Sequence, residues 1–372
     1  MTIEIISFLA FVIGAVLTAL MIPQIILISY KKRLFDPVDE RKVHTGFVPR
    51  FGGAAFIPTI MITLAFLIGL LHLIDSDNNL LSTCLTPRYA FLLCAFVFLY
   101  IEGLTDDLMK LGYKVKFACQ TFSSIILVAS GFYIDNLYGL AGIYELPLWV
   151  AYPFTVLLSV FIINAMNLID GIDGLASGLS MVALTFLGVL FVMMGDAFFG
   201  LVSFATLGTL ASFFYFNVFG VSRKRNKIFM GDCGSQTIGF VLAALCIRFA
   251  MKGSLSDYTL PNALVVAFSV VLVPCFDVLR VMIGRIRRGT SPFLPDKSHI
   301  HHKLLALGMT HRRAMLSIVM LSVLSVLFNL LLINYLNINI VFVIDVAAYS
   351  LVNFCLSRMM KNRGIASKSV IY

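Results

Sequence analysis

The stretch IEIISFLAFVIGAVLTALMIPQIILISY, residues 3–30, carries one acidic residue near its start and no basic residue before Lys31-Lys32-Arg33. A helix of that length exceeds the roughly 30 Å of a hydrocarbon core. It lacks a basic leader and a small-residue cleavage site, so it reads as a retained span, not a removable signal. Comparable apolar runs recur to the other end of the chain. Eleven spans are predicted, at about 3–30, 53–74, 88–105, 117–134, 147–166, 175–194, 198–217, 233–250, 261–283, 314–334 and 340–357. Hydrophobic residues are 60% of the chain and charged residues 13%, about half the charged share of soluble proteins. The predicted fold class is therefore all-α: a polytopic membrane protein forming one domain over residues 1–372.

Orientation follows from the basic residues. Of 28 lysines and arginines, all but Arg88, Arg248 and Lys252 fall on one set of loops and helix flanks. That set is cytoplasmic by the positive-inside rule, with the amino terminus out and the carboxyl terminus in. The formal charge of +9 is thus a topology signal, and no basic domain stands clear of the membrane to bind nucleic acid. Seven cysteines without paired spacing support neither a disulfide framework nor a zinc knuckle.

Only 19 residues are acidic, yet they recur in motifs at span ends: Glu102-Gly-Leu-Thr-Asp106-Asp107, Asn164-Ala-Met-Asn167-Leu-Ile-Asp170-Gly-Ile-Asp173-Gly, and Gly231-Asp232-Cys-Gly-Ser235. A carboxylate near a bilayer is expensive unless it binds a cation or does chemistry. With the segment Ser291-Pro-Phe-Leu-Pro-Asp296-Lys-Ser-His299-Ile-His301-His302, all lie on the basic side, in predicted loops 31–52, 106–116, 167–174, 218–232 and 284–313. The outer acids are scattered. A site facing the cytoplasm can use cytoplasmic nucleotides.

Adjacent Asp106 and Asp107 point about 100° apart on a helix, so two roles suit them better than one chelate. One would orient or deprotonate a substrate, the other fix a cation or a lysine; the plainer reading is a helix-end pair neutralised by Lys110, Lys114 or Lys116. Asn164, Asn167, Asp170 and Asp173 recur every third residue and form a polar strip. Gly171 and Gly174 allow an unwound turn where hard oxygens suited to Mg²⁺ converge; the plainer reading is a capped turn. Asp232 could act as a helix cap, and its flanking glycines also let backbone approach a phosphate. Phe229 could offer a ring to a nucleobase or simply pack. His299, His301 and His302 lack zinc spacing; beside Lys297, Lys303 and Arg285-Ile-Arg287-Arg288 they suggest a cationic loop for a sugar phosphate. Asp345 lies inside the last span, with Asn353 a candidate neighbour.

Taken together, these motifs resemble the polyprenyl-phosphate N-acetylhexosamine-1-phosphate transferases, and the resemblance runs from Asp39-Glu-Arg41-Lys42-Val-His44 with Pro49-Arg-Phe-Gly-Gly53 to the Ser291–His302 segment. It implies that Asp106 and Asp107 form the active-site pair, that Lys116 holds a phosphate, and that Asp232 and Asp173 are metal positions. Asn164, Asn167, Asp170 and Phe229 map to the nucleotide pocket, His299, His301 and His302 to the sugar diphosphate, and Lys42 and His44 to substrate binding. The implied cofactor is Mg²⁺, with Mn²⁺ as an alternative. The implied partners are a UDP-N-acetylhexosamine, undecaprenyl phosphate and the bilayer of a bacterial inner membrane; a homodimer is an open option. The Ser-Pro-Phe-x-Pro-Asp…His-x-His-His form resembles the branch that starts O-antigen, enterobacterial common antigen or wall teichoic acid with UDP-GlcNAc.

Alternatives have specific gaps. The muramoyl-pentapeptide branch has a compact triple-histidine motif absent here. Intramembrane prenyltransferases would continue Asp106-Asp107 to another aspartate, and CDP-alcohol phosphatidyltransferases would follow Ala176 with arginine, where Ser177 stands. A cation or sugar transporter would be built from repeats with midplane binding residues, and no repeat is visible.

Overall fold

The computed structural model describes residues 2–35, 48–74, 84, 86–251, 262–291 and 298–364. Lys42, His44, Asp296 and Lys297 lie outside the described residues. Among these residues the chain is a bundle of long helices: α1 (Ile3–Lys32), α2 (Phe56–Ile74), α3 (Pro87–Met109), α4 (Tyr113–Ala129), α5 (Leu148–Ile169), α6 (Leu175–Met193), α7 (Ala197–Phe214), α8 (Gly231–Ala250), α9 (Ala263–Ser269), α10 (Leu272–Arg287), α11 (Ile300–Ala306), α12 (His311–Leu332) and α13 (Ile338–Asn362). Nine helical units among them are long and apolar enough to cross a bilayer, and α9 with α10, bent by 79°, make a broken tenth. The chain is an all-α polytopic membrane protein.

Two departures from the predicted spans have local causes. The run 261–283 is broken because Pro274 stands in the first turn of α10; its ring would clash with the carbonyl four residues back, so the helix must restart before it. The span predicted at 117–134 falls on α4, which starts earlier, ends at Ala129 and, at 17 residues, is not among the helices long and apolar enough to cross. The backbone then enters a hairpin, β1 (Asn136–Leu140) antiparallel to β2 (Ile143–Glu145), that the apolar patterning did not foresee. Gly139 and Gly142 take positive φ at its tip, and the Asn339 amide clamps it, accepting from Ala141 N at 2.7 Å and donating to Gly139 O at 2.9 Å.

Helix α8 is the axis of the bundle, buried without a break from Cys233 to Ile247. A helix apolar on every side belongs inside, and small residues let its neighbours close on it. A Cβ on Gly103 of α3 would lie 2.6 Å from Cys233 Cα, and one on Gly239 would lie 2.8 Å from Ile163 Cα of α5. These contacts draw the end of α3, the end of α5 and the start of α8 together. Gly103→Ala is expected to lower stability by about 1–3 kcal/mol, since only backbone movement can relieve the overlap. Thermal melting in detergent checks this, with Gly112→Ala as control, because its added methyl meets nothing within 4 Å.

The alternating helices sort the charges. Asp106, Lys116 and Asp232 lie at one end of α3, α4 and α8. At the opposite end Arg88 donates to Ser130 O at 3.0 Å and Gly131 O at 2.6 Å, while Arg248 donates to Asp196 Oδ2 at 2.9 Å. Two of the three basic residues set apart in the sequence therefore bond locally at the far end.

Candidate active site

Helix α3 ends just after the paired aspartates, where Lys110 turns left-handed at φ 54°. Asp106 is 2% exposed. Its Oδ1 accepts from Leu111 N at 2.8 Å, and its Oδ2 pairs with the Lys116 ammonium. That ammonium also lies 3.5 Å from Asp232 Oδ2, so one cation bridges carboxylates from α3 and α8. Asp107 faces elsewhere. It accepts from the backbone N–H groups of Asp232 at 2.8 Å and Cys233 at 3.1 Å, capping α8 from a neighbouring helix. Gly231, at φ +78°, makes this possible, because a Cβ there would sit 2.5 Å from the Asp107 carboxylate.

Asn167 donates to Asp232 Oδ1 at 2.9 Å and to Ser235 Oγ at 2.8 Å. Asn164, one turn deeper, instead donates to Gln120 at 2.7 Å, and Gln120 donates to Gln236 at 2.8 Å. This buried amide ladder ties α4, α5 and α8 together and was missed in the sequence. The available signal was spacing: Gln120 and Gln236 each lie four residues beyond a polar site residue, Lys116 and Asp232. Glu102, one turn before Asp106, is also buried; the sequence places it in the same motif without assigning it a role.

The strip then unwinds after Ile169 as expected. Gly174 takes φ +79°, and its N–H donates to Asn217 Oδ1 at 2.7 Å. Asp173 pairs with Lys227 at 2.5 Å. Burial, together with the charges of Asp232 and Asp173, pushes the Asp170 carboxyl up to about 7. The Lys227 ammonium also lies 5.9 Å from the Phe229 ring centroid. Phe229 is held by backbone pairing, its N donating to Pro49 O at 2.8 Å and its O accepting from Gly52 N at 3.0 Å. The Pro49–Gly53 motif is thereby fastened to the segment that leads into Asp232.

The histidine segment closes over the acidic turn. A Cβ on Gly171 would lie within 3.1 Å of three atoms of the His301 ring. His301 is 1% exposed, and neither of its ring nitrogens has a partner among the described residues. Burial and the neighbouring His302 and His299 hold it down to about 3, so it is neutral. His299 Nδ1 lies 2.7 Å from Asp277 Oδ2, a buried partner hidden within the predicted span 261–283. The cationic reading of this loop needs correction at Lys303. That ammonium turns inward to Asn353 Oδ1 at 3.3 Å and Ser357 Oγ at 3.0 Å on α13, and burial lowers it to about 8. Asn353 is accordingly not the partner of Asp345, which accepts from Asn329 at 2.9 Å.

Among the described residues, no three His, Cys, Asp or Glu side chains converge tightly enough to hold an ion unaided. The donor chemistry nonetheless fits Mg²⁺, which binds through one or two carboxylates and completes its shell with water and phosphate oxygens. Asp170, Asp173 and Asp232 lie close enough for their carboxylates to repel one another, a repulsion that a divalent cation would offset.

Residues 89–250 match the model of glycosyl transferase family 4. A "probable undecaprenyl-phosphate N-acetylglucosaminyl 1-phosphate transferase" of Bacillus subtilis strain 168 is 33% identical over 311 residues, covering 83% of this chain and 80% of that protein. The undecaprenyl-phosphate alpha-N-acetylglucosaminyl 1-phosphate transferase of Yersinia pestis is 32% identical, covering 77% of this chain and 73% of that protein. Its Escherichia coli K12 namesake is 30% identical with the same coverage. Similarity at this level, over more than three-quarters of the chain, makes it a member of glycosyl transferase family 4.

Proposed function

We propose that the chain transfers GlcNAc-1-phosphate from UDP-GlcNAc to undecaprenyl phosphate at the cytoplasmic face of a bacterial inner membrane, starting a lipid-linked cell-surface glycan. The observation that carries this reading is the Lys116 ammonium between Asp106 and Asp232, at the same end of the bundle as the Asp170–Asp173 turn and the histidine segment. The names of the similar proteins support the same chemistry.

In this reading an oxygen of the lipid phosphate bonds to the β-phosphorus of UDP-GlcNAc. The bond from that phosphorus to the bridging oxygen breaks, and UMP leaves with the electron pair. The sugar C1–O bond is untouched, so the anomeric configuration is kept. A phosphate monoester with a second pKa near 6 is mostly ionised at neutral pH, so placement matters more than a strong base. Lys116, exposed on its open side, positions the acceptor phosphate while Asp106 fixes the ammonium. Asp107 holds the start of α8 and hence Asp232. The His301 ring and Phe229 border the nucleotide sugar. Mg²⁺ held by Asp232 and Asp173 would offset repulsion between the two polyanions and stabilise charge on the leaving phosphate.

A panel of UDP-sugars offered with undecaprenyl phosphate, followed by mass analysis of the lipid product, tests the assignment. A lipid diphosphate-GlcNAc is expected; no lipid product from any sugar would refute it. The metal role has its own signature. Below about pH 7 Asp170 holds a proton that a nearby cation expels, so Mg²⁺ binding at pH 6.5 should release up to about one proton, and little at pH 8. Calorimetry in buffers of different ionisation enthalpy measures this, and equal release at both pH values would count against it.

A further inference from the structure

Helix α13 carries a polar stripe, Asp345, Tyr349, Asn353 and Ser357, each four residues from the next and so on one face. Polar side chains within a span are expensive unless they are partnered. Three of these four reach the histidine segment directly or through one residue. Lys303 bonds Asn353 and Ser357, and Tyr349 donates its hydroxyl to Asp277 Oδ1 at 3.1 Å.

Asp277, with no exposed surface, is the hub. It also accepts from Arg280 at 2.8 Å and from the Ile300 backbone N–H at 3.1 Å, and its other oxygen lies 2.7 Å from His299 Nδ1. A carboxylate at Nδ1 sets the tautomer and the plane of the imidazole. The rings of His299 and His301 lie nearly parallel, 10° apart with centroids 5.9 Å apart. His301 in turn covers Gly171 with both nitrogens buried and, among the described residues, unpartnered. Buried polar atoms without partners are costly, so a ligand at the Asp170–Asp173 turn is the natural source of the missing bonds.

We propose that Asp277 and Tyr349 are positioning residues, which hold His299, and through it His301, over the acidic turn. The last membrane helix thereby becomes a working part of the nucleotide-sugar site. That the ligand is a sugar diphosphate rests on the functional reading above; the positioning itself does not.

Two measurements separate the two ideas. In hydrogen exchange, Asp277→Asn should speed exchange of peptide 298–303 about tenfold and Tyr349→Phe by severalfold, with peptides at the start of α8 unchanged. Unaltered exchange at 298–303 in both variants overturns the positioning, whatever the chain transfers. In kinetics, Asp277→Asn should lower kcat/KM for UDP-GlcNAc by about tenfold or more, with KM for undecaprenyl phosphate within about twofold. Combined with His299→Gln it should lose no more than His299→Gln alone. Additive losses, or equal effects on both substrates, overturn it. Should Asp277→Asn fail to fold, Tyr349→Phe, which removes one hydroxyl, carries both arms. A wild-type chain without transferase activity would sink the functional reading and leave the exchange result to decide this one.

Discussion

Asp232→Asn is expected to reduce turnover by about a thousandfold or more while leaving the protein folded. The backbone at the start of α8 is held by Asp107, which accepts from the N–H groups of residues 232 and 233, so the helix does not depend on the Asp232 side chain. The carboxylate itself faces Lys116 and Asn167. An amide could still accept from Asn167, but it would bring a donor toward the ammonium and remove one charge from the cation-binding set. Losing one preorganised electrostatic group at a phosphoryl-transfer centre costs about 10²–10³ in rate. Loss of a metal position adds to that. UMP release by the purified variant is the measurement, with a melting midpoint near wild type as the fold check. Substantial turnover at saturating Mg²⁺ would remove Asp232 from the mechanism.

Lys116→Ala should strike the lipid side. Its ammonium is the cation between Asp106 and Asp232, and it is partly open to the surface. Truncation leaves two carboxylates facing one another and strips the acceptor phosphate of its counter-charge. Removing one partner of such a pair typically costs about 2–5 kcal/mol, so kcat/KM for undecaprenyl phosphate should fall by about 100-fold or more. The KM for UDP-GlcNAc should stay within about threefold. The opposite split would assign Lys116 to the nucleotide.

Membrane architecture and the acidic motifs were legible because their signals are local: long apolar runs, and polar residues gathered where those runs end. That Asp106 and Asp107 face different partners was partly legible too, since adjacent helical residues cannot face the same way. Lys116, the partner of Asp106, was among the cations expected beside the pair; the partners of Asp107 were not foreseen. The caps that Asp107 provides lie across the bundle, on residues 232 and 233, and no pattern along the chain announces them. Asp277 escaped notice because it sits inside a hydrophobic stretch; only Arg280 among its partners is near it in sequence, and the others come from the loop after it and from α13. Lys227 counts only as one of the basic-side charges in the sequence, and Lys303 also as part of the cationic histidine loop, yet each is committed to a specific side chain, Asp173 and Asn353. The bend before Pro274 and the hairpin at 136–145 did carry short-range signals, a proline and two glycines, that the hydropathy pattern outweighed.

The central claim is that these gathered groups move a phosphoryl group onto a lipid phosphate. UDP-GlcNAc labelled with ³²P at the β-position, incubated with the purified chain, Mg²⁺ and undecaprenyl phosphate, follows the bond in question. The account predicts that the label enters the lipid fraction in step with unlabelled UMP. Label recovered in released UDP, with sugar on the lipid, would mean that the C1–O bond breaks instead and would contradict it.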